Sequence, residues 1–242
     1  MAHDDRVSCD GAVIASDPVA FHDGRAAHFA DRYNKSAAFR ERNTIWSEWI
    51  AADVAADQSV ADIGCGSGIF SFVASQYARR VVGYDASAAM ISLAESGAKD
   101  RGFANVDFEI RRVEDLRNIA KQFDVVLCSS VLEYLNDAET AILDIANLLK
   151  VGGVFLFSLP NKGSLYRRIE PLLYKVTGRP AYFGLVKFNP FPDVISSVLE
   201  RAGLRITRQT VFGDPPARLL FRWLPGGTRS FKTMTIYRAV KT

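Results

Sequence analysis

At 242 residues the chain can bury one large core and lies in the range that α/β folds fill as a single domain. Hydrophobic residues make up 48% and charged residues 24%, which excludes a fibrous protein or one with a long disordered region. A net charge of +3, with Lys and Arg interspersed among Asp and Glu, gives no global field of the kind that binds nucleic acid, so no nucleic-acid partner is expected.

The one basic bias is local. Between Lys162 and Arg238 basic residues outnumber acidic ones, among them Arg167, Arg168, Lys175, Arg179, Lys187, Arg201, Arg205, Arg208, Arg218, Arg222 and Arg229. This reads as a solvated face or as an approach to an anionic substrate or membrane surface. Cys9, Cys65 and Cys128 form neither a disulfide framework nor a zinc-ligand cluster, so a reducing cytoplasm and no metal are expected. The opening Met1-Ala2-His3-Asp4-Asp5 lacks the basic-then-apolar order of a signal peptide. No apolar run approaches the roughly 20 residues that span a bilayer, so no stable membrane insertion is expected.

From about Asp17 to Ala56, the residues Phe29, Tyr33, Phe39, Ile45, Trp46, Trp49 and Ile50 recur largely at helical spacing. Residues 1–56 are read as a helical cap segment and 57–242 as the ligand-binding catalytic domain. Ser59 to Ile63 is predicted as strand 1 and Ile69 to Tyr77 as a helix. Val81 to Tyr84 follows as strand 2, Ala88 to Asp100 as a helix, and Val106 to Ile110 as strand 3. Phe123 to Cys128 is strand 4, Ala138 to Leu149 a helix, and Val154 to Leu159 strand 5 after the Gly152-Gly153 turn.

An aromatic- and proline-rich insertion at about 160–192 interrupts the alternation and is placed to roof a site. It carries Tyr166, Tyr174, Tyr182, Phe183, Phe188 and Phe191. A helix from Asp193 to Ala202, a strand from Arg205 to Phe212, and a last run from Phe231 to Arg238 that pairs with it as a hairpin complete the reading. Alternating strands and helices predict an α/β, doubly wound, mostly parallel sheet with ligands at the carboxyl ends of the strands.

Chemistry concentrates in the turn after strand 1, Asp62-Ile63-Gly64-Cys65-Gly66-Ser67-Gly68. Glycines there let a ligand approach the backbone where any Cβ would collide, and the following helix start presents unpaired N–H groups. A GxGxG turn serves both dinucleotide-binding folds and methyltransferases. Here the third glycine comes one residue early for the GxGxxG pyrophosphate turn. Asp85 ends strand 2 about twenty residues on, where a carboxylate accepts hydrogen bonds from the ribose hydroxyls of an adenosine.

Taken together, the glycine turn, Asp85-Ala86-Ser87-Ala88-Ala89-Met90, Arg112-Val113-Glu114-Asp115-Leu116 and the strand-4 run Phe123 to Tyr134 resemble the class I S-adenosylmethionine-dependent methyltransferases. The likeness is to the small-molecule branch that includes ubiquinone and menaquinone biosynthesis enzymes, and it covers about Ser59 to Leu159. It implies a Rossmann-like methyltransferase fold of seven strands with a C-terminal antiparallel hairpin. S-adenosyl-L-methionine is the implied cofactor and S-adenosyl-L-homocysteine the product.

The resemblance places Gly64, Cys65 and Gly66 along the methionine portion, with Asp62 steadying the loop or meeting the ammonium. It makes Asp85 the ribose ligand, sets Ala86 and Met90 beside the adenine and Val113 and Glu114 at its edge, and puts Cys128 and Ser129 near the sulfonium. Arg112 stands where many members carry Asp, and Tyr134 where the ubiquinone-type enzymes carry His.

An oxygen or nitrogen nucleophile gains from a general base. Tyr134, at the end of strand 4, and His28, in the cap, are the candidates, and Tyr33 is expected to close over the methionine portion. Each has a plainer reading as packing or surface. The aromatic insertion suits an aromatic or lipophilic small-molecule acceptor, or merely docks onto the sheet. The competing functions are a nicotinamide-dependent oxidoreductase, which would use the same turn and Asp85 but lacks a Tyr-x-x-x-Lys set, and a non-catalytic S-adenosylmethionine-binding protein. A nucleic-acid methyltransferase would carry an Asn/Asp-Pro-Pro-Tyr element or an added RNA-binding domain, and neither is present.

Overall fold

The computed structural model describes residues 19, 37–120, 122–178, 181–214 and 230–242. In chain order these form α1 (Ala37–Asp53), β1 (Ser59–Ile63), α2 (Ile69–Ser75), β2 (Arg80–Asp85), α3 (Ala88–Arg101), β3 (Val106–Ile110), β4 (Phe123–Cys128) and α4 (Ala138–Leu148). Then come β5 (Leu149–Pro160), α5 (Leu165–Thr177), α6 (Pro192–Arg201), β6 (Leu204–Phe212) and β7 (Met234–Lys241). Short 3-10 turns occupy Val113–Asn118, Leu132–Tyr134 and Ala181–Leu185.

The strands make one sheet in the order β3-β2-β1-β4-β5-β7-β6. The first five are parallel, and β7 runs antiparallel between β5 and β6. The expected doubly wound α/β sheet with an antiparallel C-terminal pair is therefore what the chain forms.

Helices cover both faces, which is why β1 and β4 read as nearly unbroken apolar runs rather than alternating ones. On one face Ile63, Tyr84, Val126 and Phe157 meet Ile142 and Ile145 of α4 and Ile195 and Leu199 of α6. On the other, Val60, Val125 and Leu156 meet Trp46, Trp49 and Ile50 of α1 and Phe70 and Phe72 of α2. Trp46 stacks on Phe70 at 5.0 Å between ring centroids, which seats α1 over the first βα unit. Local signals set the helix ends: Ser87 Oγ accepts from Met90 N at 3.0 Å to cap α3, and Gly102, at φ +70°, closes it.

Besides shifts of a few residues at the ends of several elements, three larger departures from the sequence expectation stand out. β5 begins at Leu149 rather than Val154, because Leu149 already pairs with Phe123 before an irregularity shifts the register to Val125↔Val154. The aromatic- and proline-rich insertion, for which no element was predicted, contains a regular helix, α5. β7 starts at Met234, three residues into the predicted run.

The order of the sheet reverses between β1 and β4. Beside each other there, the carboxyl ends of two parallel strands open a crevice that no crossover connection fills. That crevice is the candidate site.

Candidate active site

The turn leaving β1 is wired to the end of β2. Tyr84 O accepts from both Gly64 N (2.7 Å) and Cys65 N (3.0 Å), and Asp85 Oδ2 accepts from Gly66 N at 2.8 Å. The other oxygen of Asp85, Oδ1, accepts from Ser87 N at 2.9 Å. Sequence reasoning joined the turn and Asp85 only through a shared ligand, and the structure joins them directly.

Gly64, Gly66 and Gly68 all have positive φ, at 68°, 53° and 81°. They differ in what surrounds them. A Cβ on Gly64 would lie 2.1 Å from Val131 Cγ2, so the fold itself excludes a side chain there. A Cβ on Gly66 would meet nothing within 4 Å, so its bare face fronts open space beside the Asp85 carboxylate. An open, side-chain-free backbone next to a strand-end carboxylate fits an adenosine-bearing ligand.

The remaining predicted residues distribute unevenly around this crevice. Ala86 is half-buried and Met90 buried where α3 begins. Arg111 N donates to Asp85 O at 2.8 Å, which brings the turn holding Val113 and Glu114 alongside. Val113 is half-buried, but the exposed Glu114 is engaged by Arg112 at 3.6 Å on the surface. This leaves Val113, rather than the Glu114 carboxylate, as the inward member of that pair. Cys65 and Cys128 are buried, and burial pushes both thiols well above the usual range. They serve as small apolar fillers rather than thiolates. His28 and Tyr33 lie outside the described residues.

Two buried carboxyls dominate the electrostatics. Asp62 is 2% exposed and receives Ser71 Oγ at 2.6 Å; burial, reinforced by the Asp85 charge, raises its pKa to about 7. Glu133 is also 2% exposed, and burial raises it likewise to about 7, while Arg42 and Arg167 pull in the opposite direction. Its Oε2 is buried without a hydrogen-bond partner among the described residues. A buried carboxyl in that condition has an unused acceptor and a near-neutral pKa, the state in which it can take a proton or a hydrogen bond.

The backbone explains why Glu133 faces inward. Ser130, immediately past β4, adopts φ +58°, a left-handed conformation uncommon for any residue but glycine, and its N–H donates to the buried Ser158 Oγ at 3.1 Å. The chain then coils through Leu132–Tyr134, and Glu133 is buried while Tyr134 stays half-exposed. Glu133 O accepts from Lys187 N (2.7 Å) and Phe188 N (3.1 Å), which pins the insertion over this turn. Sequence reasoning named Tyr134 and passed over its neighbour.

It also missed Arg42. From α1, Arg42 Nη2 donates to Ser129 Oγ at 2.7 Å and to Ser129 O at 3.2 Å, and its charge acts on both Asp62 and Glu133. One signal was available. Arg42 stands three residues after Phe39 and four before Trp46, a charge on the apolar face of its helix.

The Asp62 pKa carries a stability consequence. The folded protein holds this proton up to about pH 7, whereas the unfolded chain releases it near 3.8. The folded state therefore binds more protons across that window, and stability falls as pH rises through it. Asp62→Asn has no proton to lose, so its melting temperature should exceed the wild-type value by a margin that widens between about pH 4 and pH 7 and is level above. A margin independent of pH in thermal melts would show that Asp62 is not the buried acid described.

Comparison with known proteins bears on the family and the fold. A family model described as a methyltransferase domain matches residues 55–178. The ubiquinone biosynthesis O-methyltransferase of Coxiella burnetii is 29% identical over 154 residues, which cover 61% of this chain and 63% of that relative. The match thus spans less than two thirds of the relative's length. Among solved structures, the magnesium protoporphyrin IX methyltransferase of Synechocystis with bound S-adenosylhomocysteine superposes with a TM-score of 0.66. It is 19% identical, with coverage of 92% of this chain and 98% of that one. The N-methyltransferase NodS of Bradyrhizobium japonicum, in complex with S-adenosyl-L-homocysteine, gives a TM-score of 0.62 at 18% identity, covering 87% and 90%. These two share the fold.

Proposed function

Because the chain belongs to the methyltransferase-domain family, we propose that it transfers a methyl group from S-adenosyl-L-methionine to an oxygen or nitrogen of a small-molecule acceptor, with S-adenosyl-L-homocysteine as product. The observation that carries the reading is the open face of Gly66 bonded to Asp85, set one strand away from the buried, unpartnered Glu133 Oε2.

In this reading Gly64, Cys65 and Gly66 bind the methionine portion, with Asp62 behind them. Asp85 holds the ribose through its carboxylate, Ala86, Met90 and Val113 hold the adenine, and Cys128 and Ser129 line the sulfonium end. When bound, the cofactor supplies an electrophilic methyl group on a sulfonium. The protein's part is to position the acceptor and remove its proton.

Glu133 Oε2 takes that proton from the attacking O–H or N–H, a role suited to a carboxyl whose pKa lies near neutrality. Arg42 keeps Ser129 fixed and balances the charge that Glu133 and Asp62 carry when ionised. Tyr134 and the insertion border the acceptor side, and residues 1–56 act as a cap from which Arg42 reaches the site. The free, buried thiols of Cys65 and Cys128 favour a reducing compartment, the cytoplasm.

Titration calorimetry on the full chain should register binding of S-adenosylmethionine and S-adenosylhomocysteine and none of NAD(H). Binding of NAD(H) alone would overturn the proposal in favour of an oxidoreductase. Turnover against a panel of phenolic, carboxylic and amine acceptors then separates an enzyme from a non-catalytic binding protein.

A further inference from the structure

Helix α5 is built inside out. Its inward face is polar: Tyr166 and Glu170 are buried, Glu170 completely, and the Arg167 side chain is 7% exposed. Arg167 Nη1 donates to Glu170 Oε2 at 2.6 Å, Arg167 Nε donates to Thr233 O at 3.1 Å, and Nη2 meets Met234 Sδ at 3.5 Å. Two contacts from Arg167, whose charge is balanced by a buried ion pair within the helix, thereby root α5 on β7 and the residue before it.

The outward face is aliphatic. Leu165, Ile169, Leu172, Leu173 and Val176 are all exposed, Leu172 by 65% and Val176 by 76%. At about 100° per residue these five fall within one arc of roughly 100°, the stripe by which a helix normally faces a core. No described residue covers it. Phe191 and Val194 are exposed as well, and Lys162, just before the helix, sets its Nζ 4.2 Å from the centre of the Phe191 ring.

Along α5 the charge bordering the stripe is cationic, and the exposed Asp193, between Phe191 and Val194, is the acidic exception at the extension. Arg168 and Lys175 are exposed along one edge of the aliphatic arc, and Lys162 stands at its amino end. The one acidic residue of α5, Glu170, is buried against Arg167. A helix of 13 residues is about 20 Å long, too short to cross a hydrocarbon layer of about 30 Å. Among the described residues no helix is long and apolar enough to cross a membrane. An aliphatic stripe bordered by cations on a short helix suits a position flat in the headgroup boundary of an anionic bilayer.

We propose that α5, extended by Phe191, is a docking surface for anionic phospholipid membranes, with the aliphatic stripe entering the acyl boundary and Lys162, Arg168 and Lys175 meeting the headgroups. The inference does not depend on the methyl-transfer reading. If both hold, the surface brings the acceptor side of the site to the lipid, since α5 follows directly from the carboxyl end of β5 and the loop after the insertion's 3-10 turn is pinned on Glu133.

The test is sedimentation of the full chain with vesicles of phosphatidylcholine containing phosphatidylglycerol, and with vesicles of phosphatidylcholine alone. The protein should sediment with the anionic vesicles, less as salt is added, and far less with the neutral ones. Leu172→Glu/Val176→Glu should abolish sedimentation, and Arg168→Glu/Lys175→Glu should weaken it by roughly fivefold or more per cation replaced. All four positions are exposed, so circular dichroism and thermal melts should match wild type. Absence of wild-type sedimentation with anionic vesicles, or unchanged sedimentation of the Leu172→Glu/Val176→Glu variant, overturns the proposal. So does light scattering that shows a dimer which ignores vesicles and dissociates in that variant, because the stripe is then a contact between copies of the chain.

Discussion

Glu133→Gln is expected to lower kcat by roughly 10²- to 10⁴-fold while leaving the affinity for S-adenosylhomocysteine unchanged. Glutamine keeps the shape and the hydrogen-bonding oxygen but cannot accept a proton, so the loss falls on the chemical step. The pH profile provides a second, independent reading. Burial raises the Glu133 pKa to about 7, and only the ionised form is a base, so wild-type kcat should climb as pH rises through about 7. In the glutamine variant that limb should vanish. A variant that retains the wild-type rate, or a limb that survives the substitution, removes Glu133 from the reaction and returns attention to Tyr134 and to His28.

The second large effect is expected at Asp85. Its carboxylate does two things: it accepts the Gly66 and Ser87 N–H groups, and in the proposed complex it accepts the ribose hydroxyls as well. Asp85→Ala should therefore weaken S-adenosylhomocysteine binding by roughly 10- to 100-fold, the scale of charge-assisted hydrogen bonds. Asp85→Asn, which keeps one acceptor oxygen, should fall between. Calorimetry that finds equal affinity in the alanine variant would refute the ribose assignment while leaving the glycine turn in place.

The parts of the molecule that were legible in the sequence are those in which a local constraint leaves a local mark. β1 and β4 end where expected because buried parallel strands are short apolar runs, cut off by the residues that turn the chain, whereas the edge strand β3 was legible from the apolar-polar alternation of Val106-Asp107-Phe108-Glu109-Ile110. The glycine turn and Asp85 were legible because positive backbone angles and a strand-end carboxylate restrict residue type at those positions. β5 was misjudged at its start because Lys150-Val151-Gly152-Gly153 looks like a turn. The strand passes through this run and changes register within it. α5 escaped because its apolar stripe faces outward, Pro171 interrupts its interior, and rings and prolines dominate its neighbourhood. Arg42, Glu133 and Arg167 escaped for a different reason. Nothing in one stretch of sequence specifies that Arg42 of α1 will bond Ser129 at the end of β4, because that pairing exists only after the sheet has assembled.

The place of β7 has a consequence for the order of assembly. It lies inside the sheet, pairing Val154↔Val240 and Pro160↔Met234 on one side and β6 on the other. The parallel half can grow outward from neighbouring βα units, but β5 keeps an unpaired, strongly apolar edge until a segment far along the chain returns to cover it. Long loop closures of this kind are slow. During that interval the open β5 edge is the surface on which nascent chains would join one another, so the timing of β7's arrival sets how much of the protein reaches its native form.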